Sequence, residues 1–287
     1  MPHRKKLIVI VGPTGVGKTD YCIDMAKELG TCILNADSRQ IYSELKIGTA
    51  SPTEKQMRQV KHYFVGTRSV TEYYNASMYE QNVQDVLNDV FKEKDTAILS
   101  GGSMMYIDAV CNGIDDIPTV DDATRTLMKR RLAEEGLDVL VDELKRLDPE
   151  HYKIVDKKNP RRVVHALEIC HMTGQTYTSF RKNIKKERPY DIVKIGLNRP
   201  REEMYDRINR RVNNMIDNGL IEEAHGLLPM RHLNALNTVG YKEMFDYFDN
   251  IIPLEEAIRR IQSNTRRYMR KQLTWFSHDK DIEWKNL

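Results

Sequence analysis

One glycine-rich segment, residues 12–19, constrains the fold of this 287-residue chain more than any other. Its sequence, Gly-Pro-Thr-Gly-Val-Gly-Lys-Thr, satisfies the pattern G-x-x-x-x-G-K-[ST] at every fixed position. It follows an aliphatic run at residues 7–11 and precedes a helical pattern that begins at Lys18. This order of strand, tight turn and helix predicts a loop that binds a di- or triphosphate.

The chemistry of such a loop explains its composition. Glycines let backbone N–H groups surround phosphate oxygens, and the helix N-terminus adds the positive end of its dipole. Lys18 supplies a positive charge, and the Thr19 hydroxyl can reach Mg²⁺ or a phosphate oxygen. The predicted phosphate-binding residues are Gly12, Pro13, Thr14, Gly15, Val16, Gly17, Lys18 and Thr19.

Further apolar runs define the fold class. Residues 31–34, 96–99 and 192–197 are short, apolar and followed or preceded by polar turns, as expected of buried parallel strands. Residues 201–225 and 254–277 have the patterns of long helices. We therefore predict an α/β fold with a P-loop NTPase-like parallel sheet core, whose ligands lie beyond the carboxyl ends of the strands.

The middle of the chain lacks strand patterns. We predict that residues 115–188 form a helical insertion domain between two parts of the core, residues 1–114 and 189–287. Its helical patterns lie at residues 124–133, 138–147 and 160–172.

Charge is distributed unevenly along a chain whose net charge is only +3. Residues 113–150 contain six Lys/Arg and eleven Asp/Glu, whereas residues 151–194 contain eleven and four. A second basic run has no acidic residue between Arg259 and Lys271. A solvated helix surface explains one such run, but two runs favour a surface that binds a nucleic acid.

The chain lacks the usual residues for hydrolysing a nucleotide. Ser100-Gly101-Gly102 follows the third strand where a typical P-loop NTPase has an acid that holds Mg²⁺, and no Asn-Lys-x-Asp guanine motif is present. Instead Asp37 follows the strand expected beside the P-loop strand, where its carboxylate could overlook the phosphates and accept a proton. A role as a helix cap or turn residue is the alternative for Asp37.

Cysteine usage and hydropathy indicate the compartment. The four cysteines form no C-x-x-C pair and have no histidine at zinc-ligand spacing, which argues against a disulfide framework and a zinc finger. No stretch approaches the roughly 18 apolar residues that a membrane-spanning helix needs. We predict a cytoplasmic protein that does not associate with membranes.

Downstream of the loop, Asp37-Ser38-Arg39-Gln40-Ile41-Tyr42 resembles the tRNA dimethylallyltransferase (tRNA isopentenyltransferase) family, and the similarity continues over nearly the whole chain. Because no zinc finger follows the catalytic part, the chain resembles the bacterial members of the family, and we expect it to be of that type. The other matching stretches are residues 48–50 with 52–53, 62–63, 101–106, 159–162 with 166–168, 240–243, 265–268 and 272–276.

This resemblance implies a reaction. The family transfers a dimethylallyl group from dimethylallyl diphosphate to the exocyclic N6 amine of the adenosine 3′-adjacent to the tRNA anticodon, and diphosphate leaves. Such a reaction needs no acid that positions water. Lys18, the loop amides and Mg²⁺ would stabilise the leaving group, Thr19 would act near the leaving oxygen or the metal, and Asp37 would be the general base.

The resemblance also implies which residues meet the tRNA anticodon stem-loop. The acceptor base must leave its stack to reach the donor, so base flipping is expected. Arg207 and Arg211, four residues apart on a helix, are candidates for reaching the diphosphate. A monomer is the default expectation. The implied tRNA-binding residues are Asp37, Ser38, Arg39, Gln40, Ser103, Pro160, Arg161 and Arg162.

The chain departs from the family pattern in two places. Gly-Thr-Gly-Leu is usual where this chain has Gly102-Ser103-Met104-Met105, and His165 stands where arginine is common. Ser103 keeps a hydroxyl, so altered packing is expected there, whereas His165 removes a phosphate contact that an arginine would offer.

Three other functions share parts of this pattern. A small-molecule kinase would use the same loop for ATP and need no RNA. An adenylate isopentenyltransferase would use the same donor with a free nucleotide, although it would not need two basic runs. A non-catalytic GTPase-like RNA-binding switch is disfavoured because the guanine motif is absent.

Overall fold

The structure is a computed structural model that describes residues 4–182 and 184–287. Within these residues a six-stranded, all-parallel sheet forms the centre of the fold, in the spatial order β3-β2-β4-β1-β5-β6. The strands are β1 Lys6–Val11, β2 Ile33–Asn35, β3 His62–Tyr63, β4 Thr96–Ser100, β5 Asp191–Asn198 and β6 Ile282–Asn286.

Helices surround the sheet and make up most of the rest of the described chain. Two short 3₁₀ turns, Leu228–Met230 and Asn234–Leu236, separate the eleventh and twelfth helices. The α-helices are α1 Lys18–Glu28, α2 Glu54–Met57, α3 Ala76–Glu93, α4 Met104–Asn112, α5 Asp122–Glu135, α6 Leu137–Leu147, α7 Pro149–Ile154, α8 Pro160–Thr173, α9 Tyr177–Phe180, α10 Arg201–Asp217, α11 Leu220–Gly226, α12 Tyr241–Phe248 and α13 Leu254–Ser277.

The predicted α/β fold with a parallel P-loop sheet is confirmed. β1 pairs with β4 on one side and with β5 on the other, and its alternate residues enter apolar cores on both faces of the sheet. Burial on both faces explains why β1 and β4 are recognisable in the sequence as apolar runs, whereas β5 is only partly buried.

The position of β4 corrects one prediction. Asp37 was expected after the strand beside the P-loop strand, but β4 lies between β1 and β2 and pairs with both. The turn after β4 therefore separates Asp37 from the phosphate loop.

A second correction concerns the helix predicted over residues 201–225. The chain forms two helices there, because Gly219 has a φ of 99° in the left-handed region and ends the run of helical backbone between α10 and α11. The helix predicted over residues 254–277 is present as α13.

The described chain forms two compact units. One contains the residues up to Asn112 together with Glu187–Leu287, and the other is Gly113–Lys186. These limits lie within two residues of the predicted limits of the helical insertion domain.

The smaller unit has its own apolar core. Helices α5, α6 and α8 supply it with residues that include Met128, Leu140 and Leu167, all fully buried. On α8, Val163 and Leu167 point into this core while the first turn remains exposed.

Two sequence predictions concern cysteines and membranes. All four cysteines are buried free thiols, which agrees with the absence of a disulfide framework. Among the described residues, no helix combines the length and apolarity required to span a bilayer.

Candidate active site

The carboxyl ends of β1, β2 and β4 deliver three turns to one edge of the sheet, as the fold class requires. Residues of all three turns line a cavity of about 550 Å³. The phosphate loop contributes Thr14, Gly15 and Gly17, and the turn after β2 contributes Asp37. The loop predicted from the sequence therefore faces the predicted base across one cavity.

Glycine is required in the loop by backbone geometry. Gly15 and Gly17 have φ values of 85° and 108°, which L side chains rarely adopt. Gly12 has a φ of 148°, and a Cβ there would lie 2.7 Å from the carbonyl oxygen of Leu197 on β5. Of the predicted loop residues, Gly12, Pro13 and Val16 are buried and do not line the cavity, whereas Lys18 and Thr19 do.

Positive charge dominates the cavity wall. Lys18 is joined there by three arginines of α10, Arg207, Arg210 and Arg211. Lys18 donates to the carbonyl oxygens of Gly12 and Pro13 at 2.8 and 2.9 Å. Within the described part of the chain none of these four cations forms an ion pair, and they outnumber the two aspartates of the cavity wall, Asp20 and Asp37, so the cavity has an excess of positive charge.

Two of the arginines are held by neutral acceptors. Arg207 Nε donates to the Gly15 carbonyl at 2.6 Å, and an Arg211 nitrogen donates to the Thr49 carbonyl at 2.9 Å. The sequence expectation that Arg207 and Arg211 reach the phosphate region fits this geometry, because both line the cavity with the loop.

Burial changes the acidity of two of these cations. It lowers the pKa of Lys18 from 10.5 to about 8, with the charge of Arg211 contributing in the same direction. Burial also lowers the pKa of Arg211, while nearby Asp37 opposes that shift. Both effects arise because burial removes water from the charged form of each group.

The two carboxylate oxygens of Asp37 have different surroundings. Oδ1 accepts the backbone N–H groups of Arg39 and Gln40 at 2.9 and 3.2 Å and so stabilises the turn after β2. Oδ2 has no hydrogen-bond partner among the described residues, and Asp37 lines the cavity. The turn-forming role considered as an alternative is therefore real, and it leaves one oxygen available.

Side chains around Asp37 mainly fix the turn. Ser103 is buried, accepts the N–H of Ser38 at 2.7 Å and donates to the Ser38 hydroxyl at 3.0 Å. Gln40 lines the cavity but donates its amide N–H groups to the carbonyls of Thr49 and Ala50. Arg39, Ser38 and Ser103 lie near the cavity without lining it.

A glutamate that the sequence did not single out holds the neighbouring loop. Glu223 on α11 accepts the backbone N–H groups of Lys46, Ile47 and Gly48 at 2.8–3.1 Å and the hydroxyl of Tyr241 at 2.6 Å. This loop carries the Thr49 carbonyl that orients Arg211 and Gln40.

Gln272 and Tyr268 on α13 also line the cavity. Gln272 accepts the N–H of Thr14 and donates to the carbonyl of Gly102, each at 2.8 Å, and the Tyr268 hydroxyl donates to the same carbonyl at 3.1 Å. Burial, together with the charge of Asp37, raises the pKa of Tyr268 to about 12. Gln272 and Glu223 are the main additions to the residues predicted from sequence.

The remaining predicted site residues belong to the smaller unit. Pro160, Arg161 and Arg162 form the exposed first turn of α8, which Asn159 caps by accepting the N–H of Arg162. His165 lies near Glu168, 3.3 Å from its carboxylate, and packs edge-on against Tyr177.

The second basic run is less positive than its sequence indicated. Arg259 and Arg260 both pair with Glu256, which lies one turn earlier on α13. Arg266 donates to Asn209 and Arg270 to Tyr205. Intrahelical pairing therefore neutralises the beginning of the run, because an acid at i−3 or i−4 faces the same side of the helix.

The IPP transferase family model matches residues 40–279 of this chain. A relative named tRNA dimethylallyltransferase 1, from Phocaeicola vulgatus, is 62% identical over 97% of this chain and 93% of its own length. The chain belongs to the IPP transferase family. The family and the enzyme class predicted from the sequence are thereby confirmed.

Solved structures agree with this assignment. The crystal structure of the full-length tRNA isopentenylpyrophosphate transferase from Bacillus halodurans has a TM-score of 0.71 and 34% identity, covering 99% of this chain and 90% of that one. A eukaryotic dimethylallyltransferase described as acting on tRNA has the same fold, with a TM-score of 0.82 at 23% identity over 98% of this chain and 74% of that one.

Proposed function

We propose that this enzyme transfers a dimethylallyl group from dimethylallyl diphosphate to the N6 amine of the adenosine 3′-adjacent to the anticodon of tRNA. Diphosphate is the second product. The observation that carries this proposal is the shared cavity, in which a P-loop and unpaired arginines face one available carboxylate oxygen.

The cationic part of the cavity suits the leaving group. Lys18, Arg207 and Arg211 have no anionic partner, and the negative charge of diphosphate would supply one. These groups are in place before the C–O bond breaks. Fixed donors in a partly buried site stabilise developing charge more than solvent does. Anion binding would draw Lys18 away from the carbonyls of Gly12 and Pro13, since its ammonium group would prefer a phosphate oxygen.

The carboxylate of Asp37 suits the acceptor. An adenine amino group is a poor nucleophile because its lone pair is delocalised into the ring. Oδ2 would accept a hydrogen bond from the amine, orient it toward the allylic carbon and take its proton as the new C–N bond forms. The hydrogen bonds from Arg39 and Gln40 to Oδ1 hold the carboxylate in one orientation for this task.

The donor set is compatible with Mg²⁺. Thr19 and Asp37 contribute hard oxygen atoms to the cavity, and the described residues contain no cluster of three His, Cys, Asp or Glu side chains that could hold a metal alone. Mg²⁺ commonly binds through one or two protein oxygens together with phosphate and water. Thr19 would hold such an ion, which would add positive charge beside the diphosphate.

The acceptor is proposed to be tRNA rather than a free nucleotide. The names of the relatives support tRNA, and Pro160, Arg161 and Arg162 offer an exposed basic turn for an RNA backbone. The adenosine would have to leave the anticodon-loop stack to approach Asp37, since a stacked base cannot enter a cavity. We propose that the enzyme acts as a monomer in the cytoplasm.

A transfer assay tests the proposal. Labelled dimethylallyl diphosphate is incubated with unmodified tRNA or with AMP, and the label is followed. We expect label in tRNA at the adenosine next to the anticodon; label in AMP alone would identify an adenylate isopentenyltransferase, and no transfer to either would refute the proposed reaction.

The same assay examines the metal. We expect transfer to require Mg²⁺ and to be inhibited by inorganic diphosphate, which would occupy the loop. Undiminished turnover in excess EDTA would contradict the metal requirement.

A further inference from the structure

A glutamine on the buried face of α13 contacts the phosphate loop directly. Gln272 is only 1% exposed and follows Met269 at the spacing that continues to Phe276, so a large apolar residue would be expected at its position. Buried polar side chains are retained where their hydrogen bonds are satisfied. The two partners of Gln272 therefore indicate its role.

The orientation of the Gln272 amide is fixed by its partners. The N–H of Thr14 can only meet the oxygen Oε1, and the carbonyl of Gly102 can only meet the nitrogen Nε2. Tyr268 donates to the same Gly102 carbonyl. Gly102 must lack a side chain for this contact, because a Cβ there would lie 2.6 Å from Nε2.

This contact removes one donor from the phosphate loop. The Thr14 N–H already has the Gln272 oxygen at 2.8 Å, so it is not available to a phosphate oxygen. The first N–H groups of α1, at Lys18 and Thr19, have no acceptor within their helix and stay available. Thr14 is thus excluded as a donor to an anion, as is Val16, whose N–H donates to the Pro13 carbonyl at 3.3 Å.

The Gln272 amide also lies on the wall between the loop and the carboxylate. It joins Thr14 to Gly102, and a Cβ on Gly102 would be 3.9 Å from Asp37 Oδ2. If the proposed function is correct, the hydrocarbon of the donor crosses this part of the cavity. The hydrocarbon of the donor has no hydrogen-bond acceptor for the N–H group of Thr14, whereas a third phosphate group in the same place would have one.

We propose that Gln272 makes this P-loop selective for diphosphate over triphosphate ligands. Its oxygen takes the place of the phosphate oxygen that would otherwise bind Thr14, and it presents a partial negative charge to any further phosphate group. The inference rests on the proposed function only for the path of the hydrocarbon. The selectivity itself concerns anion binding and can be measured without prenyl transfer.

Anion binding to the full chain provides the test. The dissociation constants of inorganic diphosphate and linear tripolyphosphate are measured by calorimetry in EDTA for the native protein and for Gln272→Ala. We expect the substitution to improve tripolyphosphate binding relative to diphosphate by about tenfold, as one hydrogen bond to a charged acceptor is gained. Gln262→Ala, on the same helix but bonded to Asn213, should leave both constants unchanged.

Two outcomes decide the proposal. A relative gain for tripolyphosphate in Gln272→Ala supports the proposal, whereas equal changes in both constants would overturn it and leave Gln272 a purely structural role. If Gln272→Ala is unfolded by circular dichroism, Gln272→Met, which keeps the volume and frees the Thr14 N–H, is measured instead against the same two criteria.

A transfer assay separates this inference from the proposed function. If Gln272→Ala changes anion selectivity but the native protein transfers no prenyl group, the role of Gln272 is supported and the proposed reaction is refuted. If the native protein prenylates tRNA but Gln272→Ala keeps the native selectivity, the reaction is supported and the role of Gln272 is refuted.

Discussion

Asp37 combines two tasks in one side chain. Its Oδ1 atom holds the turn after β2 through two backbone N–H groups, and its Oδ2 atom is left for chemistry. Substitutions that treat the two oxygens differently can therefore separate catalysis from folding.

Asp37→Asn keeps an oxygen for the turn but cannot take a proton. We expect kcat in single-turnover transfer to fall by roughly 10²–10⁴-fold, the usual contribution of a general base, with little change in thermal unfolding or tRNA affinity. Asp37→Ala should in addition lose about 0.5–2 kcal/mol of stability, because the turn loses its acceptor.

An exposed aspartate on α1 provides the control. Asp24→Asn removes the same charge away from the cavity and should leave transfer unchanged. A folded Asp37→Asn enzyme with native kcat would exclude Asp37 as the base.

Lys18 gives the site a pH dependence. Its pKa of about 8 in the free enzyme means that it is charged below pH 8 and loses its proton above it. A bound anion raises this pKa, so Lys18 should strengthen diphosphate binding fully below pH 8 and progressively less above it. The advantage of the native protein over Lys18→Met in diphosphate affinity should accordingly decline as pH rises from 8.

The comparison with Lys18→Met matters because diphosphate itself titrates. Its own protonation affects both proteins equally and cancels in the ratio of their dissociation constants. A ratio that stays constant between pH 7 and pH 10 would show that Lys18 does not titrate in this range.

At the scale of elements, the loop after residue 45 depends on α11. Glu223 accepts three consecutive backbone N–H groups and the Tyr241 hydroxyl, so one carboxylate satisfies four donors. The loop in turn presents the Thr49 carbonyl to Arg211. Glu223 thus fixes the position of the Thr49 carbonyl, which accepts a hydrogen bond from Arg211 in the candidate active site.

Glu223→Gln should reveal this dependence. The new amide places an N–H group against backbone N–H groups, and we expect the free energy of unfolding in urea to fall by about 1–3 kcal/mol. The KM for dimethylallyl diphosphate should also rise, because Arg211 loses its fixed partner.

The adjacent Glu222 is an exposed control. Glu222→Gln should change stability by less than about 0.5 kcal/mol. Equal stability losses in the two variants would mean that charge on α11, rather than the contact with the loop, is responsible.

The sequence predicts elements where periodicity and burial agree. Strands β1, β4 and β5 appear as apolar runs, and the phosphate loop has a fixed pattern. Strand β6 was missed because four of its five residues are exposed and it lies at the sheet edge, and β3 was missed because it has two residues.

The site was predictable only in part, for a similar reason. Asp37 and Lys18 could be predicted because each belongs to a segment that follows a strand. Gln272 and Glu223 could not, because they bind backbone groups that are distant in the sequence. One signal did exist: Gln272 interrupts the apolar positions Met269 and Phe276 of α13. A polar residue on the buried face of a helix predicts a partner but does not identify it.

At the scale of the molecule, the two basic regions differ in how far their charges are paired. Arg161 and Arg162 are exposed at the start of α8, whereas Arg259 and Arg260 share Glu256. Counterion release on RNA binding comes from cations that are free to meet phosphates. The first region is therefore the stronger candidate for contact with tRNA.

Replacing both Arg161 and Arg162 by alanine should weaken tRNA binding. The slope of log affinity against log salt concentration should also become shallower, by an amount that corresponds to the loss of up to about two phosphate contacts. Binding of inorganic diphosphate should not change, since that site belongs to the larger unit. The measurement is a salt titration of tRNA affinity by fluorescence anisotropy.

The matched control is Arg259→Ala with Arg260→Ala, which removes two paired arginines. We expect a smaller change in the salt slope for this variant. A native slope in the α8 double variant would exclude this turn as an RNA contact.

The register of β1 has a consequence for the order in which the chain acquires structure. Leu7 pairs with Ala97 on one side and with Ile192 on the other, so the centre of the sheet joins residues that are far apart in the chain. The smaller unit is instead built from consecutive helices around its own core. Contacts that are local in sequence form sooner than distant strand pairs. During synthesis the insertion can therefore fold while β1 still waits for β5, and pulsed hydrogen exchange during refolding should protect the amides of α5, α6 and α8 before those of β1.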